Sequence, residues 1–226
     1  MTQQQLTSGL VMYVILVFVI TVHEWAHAWT ADRCGDPTAR LLGRMTLNPL
    51  AHIDMVGTVL LPLLALFGPL LGLGALAGII PGWGKPVPVN PRNFRQYLRD
   101  DVLVSLAGPL SNVIITCAAL LIVRVLVQAL PRVGLANTAA AEVVYPLASV
   151  SFFLGFFNLL PIPPLDGSHL LRSALGYRGR QVFDRIGSYG FVLLIVLINT
   201  PVFGVFGALI EWLFSGLTSI AMIGMR

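Results

Sequence analysis

The chain has 226 residues, of which 56% are hydrophobic and 11% charged, with a formal net charge of +4 and a mean hydropathy of +0.83. An ordinary soluble domain carries about 25% charged residues, so this much apolar surface excludes a single soluble core and implies an all-α polytopic membrane protein lodged in a lipid bilayer. The basic residues are spread among loops beside hydrophobic stretches instead of forming one patch, a pattern that fits membrane orientation and argues against a nucleic-acid partner.

The first apolar segment covers 9–31. It sits where a secretory signal would, yet it lacks a basic start and contains His23-Glu24-Trp25-Ala26-His27, so it reads as mature structure. A four-residue interval puts both imidazoles on one helical face, where they can converge on a metal ion. Zinc accepts neutral imidazole nitrogens, and a catalytic site adds a third protein ligand while leaving a position for water. Glu24 projects beside the pair, placed to take a proton from that water. In a soluble helix the same five residues recur by chance; inside a membrane segment each charged group costs about 2.5–3.5 kcal/mol, which function or strong pairing must offset.

A connection with Arg33, Arg40 and Arg44 follows, then Asn48-Pro49-Leu50-Ala51-His52-Ile53-Asp54. His52 reads either as a proton relay near a metal or as a loop histidine satisfied by Asp54. The next segment, 56–80, is interrupted by Gly68-Pro69, Gly72, Gly74 and Gly78. It is expected to be broken, re-entrant or doubled back, with protein or water satisfying its backbone. Between Gly82 and Arg92 the run Gly-Trp-Gly-Lys-Pro-Val-Pro-Val-Asn-Pro-Arg holds too many prolines for a helix. It reads as a short extended loop, serving either the rim of an active site or as a rigid connection.

Segment 102–130 opens with Ala107-Gly108-Pro109-Leu110-Ser111-Asn112, and segment 141–163 runs into Asn158-Leu159-Leu160-Pro161-Ile162-Pro163-Pro164-Leu165-Asp166-Gly167. The prolines stop regular helix and Gly167 permits a tight turn, so Asp166 can be aimed into a cavity as a third metal ligand. A solvated aspartate ending a helix is the plainer alternative. His169, three residues on, is a rival ligand if the helix resumes there. Asn112 and Asn158 are polar groups in apolar surroundings. Either can contact substrate or an oxyanion, and a helix–helix hydrogen bond explains each equally well. The last segment, 187–224, is long enough for two passes around Asn199-Thr200-Pro201. Cys34 and Cys117 are too far apart in sequence and context to indicate a disulfide framework or a thiolate site.

These segments make five or six membrane elements in one domain spanning 1–226. Three basic connections, around Arg33–Arg44, Lys85–Arg99 and Arg172–Arg185, all belong in the cytoplasm by the positive-inside rule. Then 9–31 runs inward, 102–130 outward and 141–163 inward, while a single crossing by 56–80 would put its two flanking basic connections on opposite sides. The site is expected toward the cytoplasmic side of a multi-pass cell-membrane protein.

The His-Glu-Trp-Ala-His motif combined with Asn-Leu-Leu-Pro-Ile-Pro-Pro-Leu-Asp-Gly resembles the site-2 protease family of intramembrane metalloproteases. Gly43-Arg-Met-Thr-Leu-Asn-Pro49, Gly84-Lys-Pro-Val-Pro-Val-Asn90 and Ala107-Gly-Pro-Leu-Ser-Asn112 are similar to that family too, so the resemblance runs along nearly the whole chain. It implies that His23, His27 and Asp166 bind one Zn²⁺ per chain and that Glu24 is the catalytic acid/base. The implied reaction is hydrolysis of peptide bonds in single-span membrane protein substrates. No inserted PDZ or CBS module is evident, which makes this a minimal member, and the His-Glu motif lies in the first hydrophobic segment, where the family places an additional span before it. A metal-binding membrane scaffold or transporter is the alternative from another class.

Overall fold

The computed structural model describes residues 3–67, 82–129 and 140–223, and among these every regular element is helical. The helices are α1 (Gln3–Cys34), α2 (Thr38–Leu41), α3 (Leu61–Phe67), α4 (Tyr97–Ala129), α5 (Tyr145–Asn158), α6 (Asp166–Ala174), α7 (Tyr177–Gly187), α8 (Gly190–Ile198) and α9 (Pro201–Ala221). Three of them, α1, α4 and α9, are long and apolar enough to cross a bilayer. The count reaches four if α7 and α8, bent by 70° at their junction, form one span. The expected five or six spans are therefore not reproduced among the described residues, because α3 and α5 are apolar but short. The break expected near Asn199 is present, with α8 ending at Ile198 and α9 starting at Pro201, where the ring's preset φ suits a first helical turn.

Three helices form the centre. In α1 the buried positions Ile15, Val19, His23, Ala26, His27 and Ala31 recur every three or four residues and make one stripe. Val14 and Phe18 point outward and are exposed, as lipid-facing residues would be. The facing stripe of α4 runs through Ser105, Gly108, Pro109, Asn112 and Thr116. Such small and polar residues let helices approach closely where lipid gives no hydrophobic drive toward association. Gly155 of α5 sits so close to α4 that a Cβ there would lie 3.1 Å from Asn112 Cβ and 3.2 Å from the Pro109 carbonyl oxygen. Thr116 Oγ1 donates to the Ala148 carbonyl at 3.2 Å and Ser151 Oγ to the Asn112 carbonyl at 2.9 Å, so hydrogen bonds tie the pair. Farther along, Leu120, Phe152, Ile210 and Phe214 pack α9 onto α4 and α5. Arg124 donates to the Ala221 carbonyl at 2.8 Å, satisfying an orphan acceptor at the end of α9.

The basic connections meet at one end of this bundle. Arg44 Nη2 donates to the Lys85 and Pro86 carbonyls at 2.8 and 3.2 Å, and the Arg95 amide donates to the Cys34 carbonyl at 3.1 Å. Arg172 reaches Tyr97 Oη at 3.2 Å. The two sides of the 56–80 segment are also adjacent, since the Trp83 amide donates to the Gly57 carbonyl at 3.2 Å and the Lys85 amide to the His52 carbonyl at 2.9 Å. Residues 68–81, with the glycines that suggested a broken element, lie outside the described residues.

Candidate metal centre

Three chain ends deliver the site: the C-terminal half of α1, the N-terminal half of α4 and the proline-broken stretch after α5. His23 and His27 are both buried, at 5% and 7% exposure, with their Nε2 atoms 3.0 Å apart. Asp166, the first residue of α6, brings Oδ2 to 3.2 Å from His23 Nε2 and 3.3 Å from His27 Nε2. The path that delivers it is tight. A Cβ on Gly167 would fall 2.6 Å from the Leu160 carbonyl oxygen, closer than any real side chain sits, so the turn admits only glycine.

Those three atoms fit a metal ion better than they fit one another. His27 Nδ1 lies 2.7 Å from the Val104 carbonyl, which can only accept, so Nδ1 carries the proton and Nε2 presents a lone pair inward. Asp166 Oδ2 is buried without a hydrogen-bond partner. The His27 lone pair and the Asp166 carboxylate oxygen are two acceptors 3.3 Å apart in a buried space beside His23 Nε2, and a cation is what such a pair lacks. Among the described residues these three side chains make up the group able to hold a metal.

Room for the two imidazoles comes from Gly108, where a Cβ would stand 2.5 Å from His23 Cε1 and 2.6 Å from His23 Nε2. Sequence reasoning noted this glycine only as part of a motif. The signal was a glycine–proline pair inside an apolar helix, where glycine costs about 1 kcal/mol against alanine and so calls for a steric reason.

A cavity of about 420 Å³ opens beside the ligand group, with Glu24, Asn158 and the stretch from Gly82 to Val89 in its wall. Glu24 Oε2 accepts from the Val87 amide at 2.8 Å. The 82–90 stretch carries no helix and runs along the cavity as a strap. Its alternate amides from Trp83, Lys85 and Val87 all bond to the body of the protein, and Thr58 Oγ1 donates to the Trp83 carbonyl at 2.7 Å. Pro86 and Pro88 have no amide hydrogen, so the intervening positions are bonded more sparsely, through the Pro86 carbonyl that accepts from Arg44 and the Asn90 amide. Its far end is held by Asp36, which is wholly buried and takes the Asn90 amide at 2.7 Å and Asn93 Nδ2 at 2.8 Å. Burial opposes ionisation of Asp36, but hydrogen bonds from Thr38, Asn90 and Asn93 outweigh it and hold its carboxyl below the usual range.

The remaining candidates are distributed as follows. Asn158 lines the cavity and spends one amide hydrogen on the Leu154 carbonyl at 3.0 Å. Asn112, grouped with it as a substrate or oxyanion contact, is instead fully buried behind His23, with its amide 3.2 Å from His23 Nδ1. Asn112 is not among the residues that line the cavity. His169 faces the cavity but is 3.5 Å from Asp101 rather than with the ligand group, and that hydrogen bond raises its pKa. His52 is 1% exposed and bonds through Nε2 to the Thr46 carbonyl at 2.8 Å. The expected partner Asp54 is otherwise engaged, accepting from the Val56 and Gly57 amides as a helix cap. Both cysteines are free.

A Bacillus subtilis protein named "Putative zinc metalloprotease YwhC" is 34% identical over 207 residues, covering 90% of this chain and 86% of that one. The chain belongs to peptidase family M50, the site-2 proteases. The family model itself matches residues 126–199, which include Asn158 and Asp166. A Mycolicibacterium smegmatis relative named for a zinc metalloprotease, Rip2, is 34% identical over 211 residues, 88% of this chain and 72% of that protein. The Escherichia coli regulator of sigma-E protease RseP is 38% identical over 84 residues, 34% of this chain and 19% of RseP. No solved structure matches. This site-2 protease is thus a zinc metalloprotease and a multi-pass membrane protein.

Proposed function

We propose that this site-2 protease hydrolyses peptide bonds of single-span membrane proteins, with His23, His27 and Asp166 holding one zinc ion and Glu24 serving as the general base. The observation that carries this reading is the convergence of two imidazole nitrogens and one orphaned carboxylate oxygen beside a cavity that also contains a glutamate. When bound, zinc supplies Lewis acidity that polarises the scissile carbonyl and acidifies the attacking water. Glu24 takes the proton as the carbon–oxygen bond forms, then gives it to the departing amine nitrogen as the carbon–nitrogen bond breaks. The Val87 amide keeps one carboxylate oxygen fixed so that the other is free for this transfer. Asn158 has a second amide hydrogen to offer the oxyanion.

A helical substrate must unwind before attack, because its carbonyls are already hydrogen-bonded. An extended segment could lie along the 82–90 strap, whose intervening edge is only sparsely bonded, or along 43–49, and the polar ends around them favour entry from the side of the basic connections, which the positive-inside rule assigns to the cytoplasm. A transporter built on the same histidines has less support, since transport gives no task to a glutamate poised beside a three-ligand set.

The test is purified chain in detergent with single-span substrates, scored for cleavage and zinc content together. In Val87→Pro the donor to Glu24 is gone while an extended backbone is retained. Its cleavage should fall about tenfold, the worth of one hydrogen bond to a charged group, with zinc unchanged and with Val87→Ala far less affected. Equal activities in the two variants would remove the strap from the mechanism. Gly108→Ala should do the opposite: the methyl displaces the imidazoles, so zinc content and cleavage fall together, while circular dichroism should show the helices intact because alanine's helix propensity, about 1 kcal/mol better than glycine's, offsets part of the overpacking cost. Full zinc occupancy in Gly108→Ala would contradict the ligand assignment.

A further inference from the structure

Zinc held by Nε2 of a histidine requires the proton on Nδ1, and that N–H needs an acceptor. For His27 the acceptor is the Val104 carbonyl on α4, 2.7 Å away. His23 faces the same requirement, since its Nε2 is 3.0 Å from His27 Nε2 and 3.2 Å from Asp166 Oδ2. The group opposite its Nδ1, at 3.2 Å, is the side-chain amide of Asn112, two helical turns beyond Val104 on the same helix. Asn112 is wholly buried, and its Oδ1 has no hydrogen-bond partner. Amide oxygen and nitrogen have nearly the same shape, and which of them faces a neighbour follows from the hydrogen-bond network. Turning the amide by half a rotation presents the orphaned oxygen to the His23 Nδ1–H. The residue is otherwise fixed in place: its backbone carbonyl accepts from Thr116 Oγ1 and Ser151 Oγ, each at 2.9 Å.

On the ligand set argued above, we propose that Asn112 is a positioning residue that accepts from His23 Nδ1–H through Oδ1 and so holds His23 in the tautomer that binds zinc through Nε2. Helix α4 then orients both imidazoles of α1, one by a backbone carbonyl and one by a side-chain amide. This gives the buried asparagine a task that neither substrate contact nor helix packing supplies.

Zinc affinity of the full chain in detergent, measured by competition with a chromophoric chelator, tests this without reference to cleavage. Asn112→Ala and Asn112→Leu should each weaken zinc about 10- to 100-fold, the usual cost of losing an outer partner of a ligating histidine. Asn112→Asp, which keeps an acceptor at the same place, should restore most of the affinity; a purely structural role predicts no such rescue. The wild-type protein gives an independent reading through ¹⁵N-histidine NMR of the zinc-loaded form, where His23 should show a protonated Nδ1 and a coordinated Nε2. Wild-type affinity in Asn112→Ala, or coordination of His23 through Nδ1, overturns the proposal. Asp166→Ala serves as the control for the ligand set: if it too binds zinc like wild type, the ligand set itself fails, whereas zinc loss there with none in Asn112→Ala refutes the role of Asn112 alone.

Discussion

Glu24→Gln is expected to abolish cleavage of a single-span substrate while zinc content stays at the wild-type level. Glutamine keeps the length and shape of glutamate, and its amide oxygen can still accept from the Val87 N–H that Glu24 Oε2 accepts at 2.8 Å. It cannot take a proton from water. Since general acid–base catalysis contributes about 10²- to 10⁴-fold, the loss should reach that range in kcat with little change in substrate binding. Glu24 is adjacent in sequence to His23 but is not among the group of atoms that converge, so the ligand set is untouched. Turnover assayed alongside metal analysis decides the matter: undiminished cleavage sinks the proposed base, and loss of zinc would make Glu24 a ligand instead.

The second large effect is expected from Asp166→Ala, which should empty the site. Asp166 Oδ2 stands 3.2 and 3.3 Å from the two imidazole nitrogens and is the carboxylate in a three-member group. Two neutral histidines on one helix make a weak chelate. With structural zinc sites worth about 10–16 kcal/mol in all, removing one anionic ligand should cost several kcal/mol and at least about a hundredfold in affinity. The substitution leaves the proline-broken turn and the Gly167 contact in place, so the protein should still fold, as circular dichroism would show. Retained zinc would move attention to His169, which faces the same cavity from one turn farther along α6.

Much of this site could be read from the chain before any coordinates. His23 and His27 are four residues apart on a helix, and a local helix suffices to bring them together. Charged groups in an apolar segment are costly enough to mark them as functional. Asp166 required more, since 139 positions separate it from His27 and only the family resemblance chose it over a solvated aspartate or His169. The membrane elements around α1, α4, α5 and α9 followed from hydropathy, but the number of spans did not. Hydropathy measures how apolar a stretch is; it does not distinguish a helix that crosses from a short one such as α5 packed against its neighbours.

What local periodicity and composition establish here is the all-helical membrane class, the histidine pair with its glutamate, and a polar break that can carry a third ligand. The rest depended on contacts between helices distant in sequence. Gly108 makes space for rings 81 and 85 positions earlier, Val104 and Asn112 orient them, and the Val87 amide holds Glu24. A backbone carbonyl or amide has no signature in the side-chain alphabet, and an asparagine looks the same whether it faces a substrate or a ligand. Only the packing of α4 against α1 and α5 buried Asn112 and set its amide beside His23, because small residues along that interface, Gly155 among them, let the helices approach closely.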